Sequence, residues 1–310
     1  MTRMPHTDLD VFPLSLGGNV FGWTANEEQS FAVLDAYAAA GGNFIDTADM
    51  YSCWAPGNSG GESESIIGRW MKKRGNRSKM VVATKVGKLP QLLGLSTKNI
   101  QRAAEDSLAR LQTDHIDLYY AHEDDRAIPL VETLQAFDGL VRSGKVRYIA
   151  ASNYNAPRLA EALRTSRREG FAQYVALQPH YNLMERDKYE GELIDTVAAE
   201  GLGSLPYFSL ASGFLTGKYR DGSKVDSKRA EGASKYSNEK GRKVLAALDQ
   251  IAAARKEAVG TIALAWLLAQ PTVVAPIASA RIPEQLPPLL RSVEVKLTKE
   301  EVLKLSAASE

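Results

Sequence analysis

The chain has 310 residues, of which 44% are hydrophobic, and this is enough to bury one sizeable core. Lys and Arg number 38 against 37 Asp and Glu, so the near-neutral charge gives no reason to expect a nucleic-acid or membrane partner. The single cysteine, Cys53, excludes an intrachain disulfide, and the N-terminal residues lack the apolar stretch of a signal peptide. We therefore expect a cytoplasmic protein.

Eight short apolar segments alternate along the chain with segments of helical periodicity. They are rich in Val, Ile, Leu and Tyr, which is typical of strands that are buried on both faces. In chain order, we predict strands at residues 14–18, 43–47, 80–85, 116–122, 146–152, 175–178, 203–207 and 273–277.

Between the predicted strands, apolar residues recur at intervals of three and four, as on the buried face of an amphipathic helix. One helix begins near Thr97, which we interpret as its capping residue, and runs to Leu111. Eight strands that alternate with helices predict an α/β fold, a parallel (β/α)8 TIM barrel, built as a single domain over residues 1–310. Further helical segments lie at residues 31–38, 66–70, 130–141, 159–163, 193–199 and, as one long stretch, 240–269.

The alternative architecture is an open doubly wound sheet, which would normally carry a Gly-x-Gly-x-x-Gly phosphate turn after the first strand. The chain instead reads GGNVFG from Gly17 to Gly22, which lacks that spacing. Two loops, at residues 53–61 and 220–240, follow the second and seventh predicted strands. In a barrel, both loops would project from the active face.

Polar residues stand at the carboxyl ends of six successive predicted strands. The carboxyl ends of barrel strands meet at one rim, and barrel enzymes carry their active sites there, so we predict an active site at this rim. The residues are Asp46 with Tyr51 close behind it, Lys85, His122, Ser152 with Asn153, Gln178 and Tyr207.

Four of these residues predict proton-transfer chemistry. A buried Lys85 needs a counter-charge, which Asp46 on the neighbouring strand can supply. An ammonium group close to Tyr51 favours the phenolate, so we expect Lys85 to lower the pKa of Tyr51. His122 can hydrogen-bond the same phenol or a substrate oxygen. Tyr51 can then protonate a carbonyl oxygen as hydride arrives at the carbon.

Several motifs, in the same order along the chain, resemble those of the aldo-keto reductase family. GGNFIDTADMYS carries Asp46 and Tyr51, VATKVG carries Lys85 and DLYYAHEDD carries His122, which together match the family's catalytic tetrad. The segments ASNYN, LQPHYNLMER, PYFSLASGFLTGKY and APIASARIPEQL resemble its later motifs. The resemblance implies an NADPH-dependent oxidoreductase that reduces aldehydes or ketones to alcohols, with Tyr51 as the general acid and a small carbonyl compound as substrate.

The resemblance also implies which residues would hold NADP(H). Ser152, Asn153 and Gln178 would bind the nicotinamide carboxamide, and Tyr207 would stack on the nicotinamide ring. Arg281, a planar cation with several donors, suits a 2′-phosphate and so favours NADPH over NADH. The other implied cofactor residues are Asp46, then Leu210, Ser212 and Lys218 along the pyrophosphate path, and Ser279 and Gln285 at the adenosine end.

The chain departs from the family pattern at three places. Relatives usually carry Ser-Pro in place of Phe208-Ser209 and glycine in place of Ser279. Near the adenine they usually carry Glu and Asn, where this chain has Pro288 and Leu289. The last change removes side chains that would bind the adenine amino group, so we expect weaker cofactor binding.

Two tryptophans follow the first and second predicted strands. Trp23 and Trp54 are aromatic residues on active-face loops, and we predict that they shape the substrate pocket. The four histidines are spread along the chain without metal-binding spacing, so we expect no metal ion in the site. The substrate itself, the oligomeric state and the strength of the NADPH preference stay open.

Two other functions remain open at this point. One is a non-catalytic, NADPH-binding regulatory subunit, which very slow turnover and a large exposed apolar patch would favour. The other is a Schiff-base barrel enzyme that uses Lys85, which borohydride trapping with a carbonyl compound would reveal. No feature of the sequence points to an obligate protein partner.

Overall fold

Eight parallel strands form the central sheet of the computed structural model, which describes residues 1–220 and 228–310. The order across the sheet is β7-β6-β5-β4-β3-β2-β1-β8, and every neighbouring pair is parallel. The strands are β1 Ser15–Gly17, β2 Phe44–Asp46, β3 Val81–Val86, β4 Ile116–Ala121, β5 Val146–Ser152, β6 Tyr174–Gln178, β7 Gly203–Ser204 and β8 Ile277–Ala278.

The sheet closes on itself beside β7. Ser204 forms a parallel bridge with Val273. The Ser204 amide donates to the Thr272 carbonyl at 2.8 Å, and the Val274 amide donates to the Ser204 carbonyl at 2.9 Å. The fold is therefore a (β/α)8 barrel, as the sequence predicts.

Helices follow the strands and cover the outside of the barrel. They are α1 Glu27–Ala39, α2 Glu62–Arg74, α3 Thr97–Leu111, α4 Leu130–Arg142, α5 Ala156–Glu169, α6 Glu192–Ala199, α7 Ala230–Ser234, α8 Glu239–Arg255, α9 Val259–Leu268, α10 Leu286–Arg291 and α11 Lys299–Ala308. Short 3-10 helices span Arg77–Lys79, Arg186–Lys188, Ala211–Thr216 and Pro283–Gln285. Two small hairpins pair Thr2–Arg3 with Asp10–Val11 and Lys88–Leu89 with Leu92–Leu93. Within the described ranges, no helix has the length and apolar character needed to cross a membrane.

Side-chain caps begin several of the helices. Asn26 caps α1 by accepting a hydrogen bond from the Gln29 amide, and the Gln29 side-chain oxygen accepts one from the Asn26 amide. The prediction that Thr97 caps α3 is wrong by one position. Ser96 has the extended backbone that a cap requires, and its hydroxyl accepts from the Asn99 amide at 3.4 Å, so Thr97 is the first helical residue.

The structure also corrects two strands and one helix. The eighth strand is Ile277–Ala278 rather than 273–277, because residues 273 and 274 instead pair with Ser204 where the barrel closes. The seventh is shorter than predicted and ends before Pro206, which has no amide to donate to a ladder. The long helix predicted at 240–269 is two helices, because Lys256 adopts a left-handed conformation that ends α8.

The buried apolar side chains form two layers, because successive residues of a strand point to opposite faces. The larger layer lies between the barrel wall and the helices and includes Val82 and Tyr119. The smaller layer fills the barrel and includes Phe44 at the start of β2. Met4 and Val11, which belong to the first hairpin, join this inner layer near the starts of the strands. The amino end of the barrel is thus packed with apolar groups, and the carboxyl end is left for polar ones.

Candidate active site

A cavity of about 740 Å³ opens at the carboxyl ends of the strands, a volume typical of small-molecule sites. The cavity wall includes Tyr51 and His122, whereas Lys85 lies behind the wall and is fully buried. Among the described residues, no group of three or more His, Cys, Asp or Glu is placed to hold a metal ion. Every residue predicted to contact the cofactor lines the cavity: Asp46, Ser152, Asn153, Gln178, Tyr207, Leu210, Ser212, Lys218, Ser279, Arg281 and Gln285.

Lys85 is the centre of a polar network beneath Tyr51. Its Nζ donates to Asp46 Oδ2 at 2.7 Å, to the Thr47 carbonyl at 2.7 Å and to Tyr51 Oη at 2.8 Å. Three acceptors match the three protons of an ammonium group. Tyr51 Oη in turn donates to Asp46 Oδ2 at 3.3 Å. The structure thus brings three of the four predicted catalytic residues into direct contact.

Adjacent strands place these groups. Asp46 is the last residue of β2 and pairs with Ala83 of β3, so Lys85 lies two residues further toward the rim on the same face as Ala83. Tyr51 comes from the turn after β2, where its amide donates to the Ala48 carbonyl at 3.2 Å. The turn carries the phenol over the end of the strand, and the Lys85 side chain reaches it from below.

His122, directly after β4, faces the same phenol. Its ring lies edge-on to the Tyr51 ring with 6.2 Å between centroids. Burial first, and then the positive charges of Lys85 and Lys88, hold the pKa of His122 well below its usual range. The imidazole is therefore neutral, and its buried Nδ1 has no hydrogen-bond partner among the described residues. A neutral imidazole at the cavity wall can bond a substrate oxygen.

The acidity of Tyr51 differs from the sequence-based expectation. Burial, followed by the charge of Asp46, raises the pKa of Tyr51 well above its usual range. The prediction that Lys85 lowers this pKa is wrong here, because the desolvation of the phenolate and the nearby carboxylate outweigh the ammonium. Burial also lowers the pKa of Lys85 itself. Tyr51 therefore keeps its proton and is suited to act as an acid.

A chain of hydrogen bonds extends from Asp46 across the floor of the cavity. Gln178 Nε2 donates to Asp46 Oδ1 at 2.8 Å, and Ser152 Oγ donates to the backbone carbonyl of Gln178 at 3.0 Å. Asn153 Nδ2 donates to Ser152 Oγ at 3.1 Å, and Tyr207 Oη donates to Asn153 Oδ1 at 2.7 Å. The chain fixes the orientation of all four predicted nicotinamide residues relative to the tetrad.

His180 was not among the residues predicted for the site, and it supports Tyr207, the predicted stacking residue. The rings of His180 and Tyr207 stack with centroids 5.2 Å apart and 23° between their planes. Phe208 packs edge-on against His180 with ring centroids 5.3 Å apart. The available signal was position, since His180 follows Gln178 by two residues at the same rim.

The far end of the cavity is basic. Gln285 Oε1 accepts from the Arg281 amide at 2.9 Å, and Pro288 and Leu289 form part of the wall. One carboxylate, Glu284, lies among the described residues that line this end. Four cationic side chains line it: Lys218, Lys228, Arg229 and Arg281. This excess of positive charge suits a polyanionic ligand.

Asn19 joins three segments at this end and was also missed. Its Oδ1 accepts from Ser279 Oγ at 2.8 Å and from Arg229 Nη2 at 3.1 Å. Arg229 belongs to the predicted loop 220–240, of which residues 221–227 lie outside the described part. The contacts of Asn19 span more than half of the chain, so no local sequence pattern indicates them.

The two tryptophans take different places. Trp54 lines the cavity and packs edge-on against Tyr51, with ring centroids 6.2 Å apart. Trp23 packs perpendicular to Trp54 at 5.6 Å from outside the cavity lining, so it braces Trp54. Asn58 holds this loop by donating to the carbonyls of Gly22 at 2.8 Å and Ser52 at 3.1 Å.

Comparison with known proteins identifies the family. The model of the Aldo/keto reductase family matches residues 13–310. Over 308 residues the chain is 38% identical to Uncharacterized oxidoreductase YrpG of Bacillus subtilis (strain 168), covering 96% of this chain and 92% of that protein. It is 33% identical over 325 residues to Norsolorinic acid reductase B of Aspergillus parasiticus, covering 99% and 83%. It is 31% identical over 327 residues to Aryl-alcohol dehydrogenase (NADP(+)) of Phanerodontia chrysosporium, covering 96% and 82%. The chain therefore belongs to the aldo/keto reductase family and is an oxidoreductase.

Proposed function

We propose that the protein reduces aldehyde or ketone groups to alcohols with NADPH, with Tyr51 as the general acid and residues 1–310 as one catalytic domain. The observation that carries this proposal is the Tyr51 hydroxyl at the cavity wall. It accepts from the Lys85 ammonium at 2.8 Å. Burial and Asp46 keep it protonated, so a proton is available at the point where a carbonyl oxygen would lie.

The tetrad residues have distinct tasks in this reaction. A bound reduced nicotinamide supplies a hydride to the carbonyl carbon. Negative charge develops on the oxygen, which takes the Tyr51 proton, and the Lys85 ammonium stabilises the phenolate that this leaves. Asp46 holds Lys85 in place at 2.7 Å. The neutral His122 imidazole donates a hydrogen bond that orients the carbonyl oxygen.

The residues at the two ends of the cavity support the choice of NADP(H). At one end, the Tyr207 ring stacks against His180. Because Gln178 Nε2 is bound to Asp46, the side-chain oxygen of Gln178 is left to accept a carboxamide N–H. At the other end the basic side chains suit phosphate groups. We propose that Arg281 binds the 2′-phosphate that distinguishes NADPH from NADH. One relative is named for NADP(+), which supports this choice.

We propose aromatic aldehydes as the first substrates to test. Trp54 is 43% exposed and lines the cavity next to Tyr51, and a flat ring could pack against it. A relative named Aryl-alcohol dehydrogenase supports the same class.

The test is NADPH oxidation over a panel of aryl aldehydes, alkyl aldehydes, ketones and sugars. NADPH carrying deuterium at the transferred position should give product alcohol with one deuterium on the former carbonyl carbon. The matched control is Tyr51→Phe, which lacks the hydroxyl and keeps the ring. A panel without turnover, or product without the label, would overturn the proposal.

The geometry weighs against one of the two other functions considered from the sequence, the Schiff-base enzyme. A Schiff-base lysine must present a free amine to its substrate. Lys85 is fully buried behind Tyr51, and its three protons are engaged, so it is poorly placed to attack a carbonyl carbon. A regulatory subunit would use the same cofactor cavity, and the turnover assay separates it from an enzyme.

A further inference from the structure

Three buried carboxyl groups and two cations lie close together behind Tyr51. Asp46 pairs with Lys85 at 2.7 Å, and Glu64 of α2 pairs with the partly buried Arg110 of α3 at 2.6 Å. The third carboxyl group is Asp49, which is fully buried and has no hydrogen-bond partner at either oxygen among the described residues. Each cation is thus already matched by one carboxylate, and Asp49 is the carboxyl group left over.

Asp49 lies between the barrel wall and helices α2 and α3. Its amide donates to the Lys85 carbonyl at 3.2 Å, which places it one layer behind the tetrad. On the same side of the wall, Glu64 accepts from Thr84 Oγ1 at 2.5 Å. The charged and titratable groups that face Asp49 are Glu64 of α2, Arg110 of α3, Lys85 of β3, Tyr119 of β4 and Cys53 of the following loop.

An ionised Asp49 would be a third negative charge beside two cations in a desolvated region. A buried charge without its own partner is costly, and taking up a proton removes the cost. Burial first, and then the negative charge of Glu64, raise the pKa of Asp49 to about 8, against the opposing pull of Arg110, the Met50 backbone and Lys85.

We propose that Asp49 is a neutral carboxylic acid at physiological pH, and that its ionisation slows proton donation by Tyr51 through Lys85. Asp49 is thus a positioning residue of the proposed reductase, on which this inference rests. When Asp49 gives its proton to solvent at alkaline pH, one negative charge is added beside Lys85. This charge opposes the formation of a phenolate at Tyr51, so each proton transfer to the substrate becomes less favourable.

The kinetic test is kcat for carbonyl reduction from about pH 6 to about pH 10 in the wild type, Asp49→Asn and Asp114→Asn. The control Asp114→Asn makes the same chemical change at an exposed site before β4, at the opposite end of the barrel. The wild type and the control should lose activity with a midpoint near the Asp49 value of about 8. Asp49→Asn should keep its neutral-pH rate through this range. Coincident alkaline limbs in all three proteins would overturn the proposal.

A second variant should lower the pH at which half of the activity is lost. It tests the proposal even if Asp49→Asn does not fold. Glu64→Gln removes the repelling charge and leaves Arg110 to Asp49, so Asp49 should ionise, and activity fall, at lower pH than in the wild type. An unmoved midpoint would contradict the proposal. In the infrared spectrum of the ligand-free wild type, the band of a protonated carboxyl should be present at about pH 6 and lost by about pH 10. Asp49→Asn, which lacks this carboxyl group, should show no such loss. This readout needs no turnover, so it separates a failure at Asp49 from a failure of the proposed reductase activity.

Discussion

Replacing Lys85 with Met leaves the Asp46 carboxylate buried without its cation. In the wild type, Lys85 is 0% exposed and donates to Asp46, Thr47 and Tyr51 at 2.7, 2.7 and 2.8 Å. Removing one partner of a buried ion pair costs about 3–5 kcal/mol, so we expect the free energy of unfolding to fall by about 4 kcal/mol at neutral pH. Methionine retains most of the apolar stem, which limits the loss of packing.

The loss should shrink at acid pH. The unpaired Asp46 can take up a proton in the folded variant, whereas in the unfolded chain it stays ionised down to about pH 4. Between about pH 4 and about pH 7, the folded variant therefore binds more protons than the unfolded chain, and its stability falls as pH rises.

Urea unfolding followed by tryptophan fluorescence, at about pH 5 and about pH 7.5, measures both effects. The matched control is the double variant Asp46→Asn with Lys85→Met, in which neither partner is charged and much of the lost stability should return. If the single variant stays within about 1 kcal/mol of the wild type at both pH values, then the pair does not contribute as its geometry requires.

Three further predictions address the cavity. Arg281→Ala should weaken NADPH binding by about tenfold or more and leave NADH binding nearly unchanged in a fluorescence titration, because only NADPH carries the 2′-phosphate; equal losses would show that Arg281 does not contact it. Trp54→Ala should raise KM for aryl aldehydes several-fold without changing the Kd for NADPH, and an unchanged KM would remove Trp54 from the substrate pocket. Because the pKa of His122 lies well below its usual range, kcat should be flat from about pH 6 to about pH 7, and a decline toward pH 6 would indicate that the imidazole titrates.

The barrel and the position of the tetrad could be predicted because both depend on local patterns. Strand and helix periodicity indicated the alternation of elements, and the carboxyl end of each strand indicated the rim where Asp46, Lys85 and His122 lie. β8 was misplaced because its bounds depend on pairing across the barrel with β1, which is distant in sequence.

Properties that depend on distant contacts could not be predicted in this way. The Asn19–Arg229 bond joins residues 210 positions apart, and no motif marks either residue. The direction of the Tyr51 pKa depends on how deeply the phenol is buried and on its distance of 3.3 Å from Asp46, neither of which the sequence specifies.

The most direct test of the central proposal is turnover by Tyr51→Phe with NADPH and the best carbonyl compound of the panel, measured beside the Kd for NADPH. If Tyr51 is the general acid, kcat should fall by about 10² or more while the Kd stays within about twofold of the wild-type value, because the proposed cofactor contacts lie on other residues. Turnover at the wild-type rate, with the hydroxyl absent, would contradict the proposed mechanism.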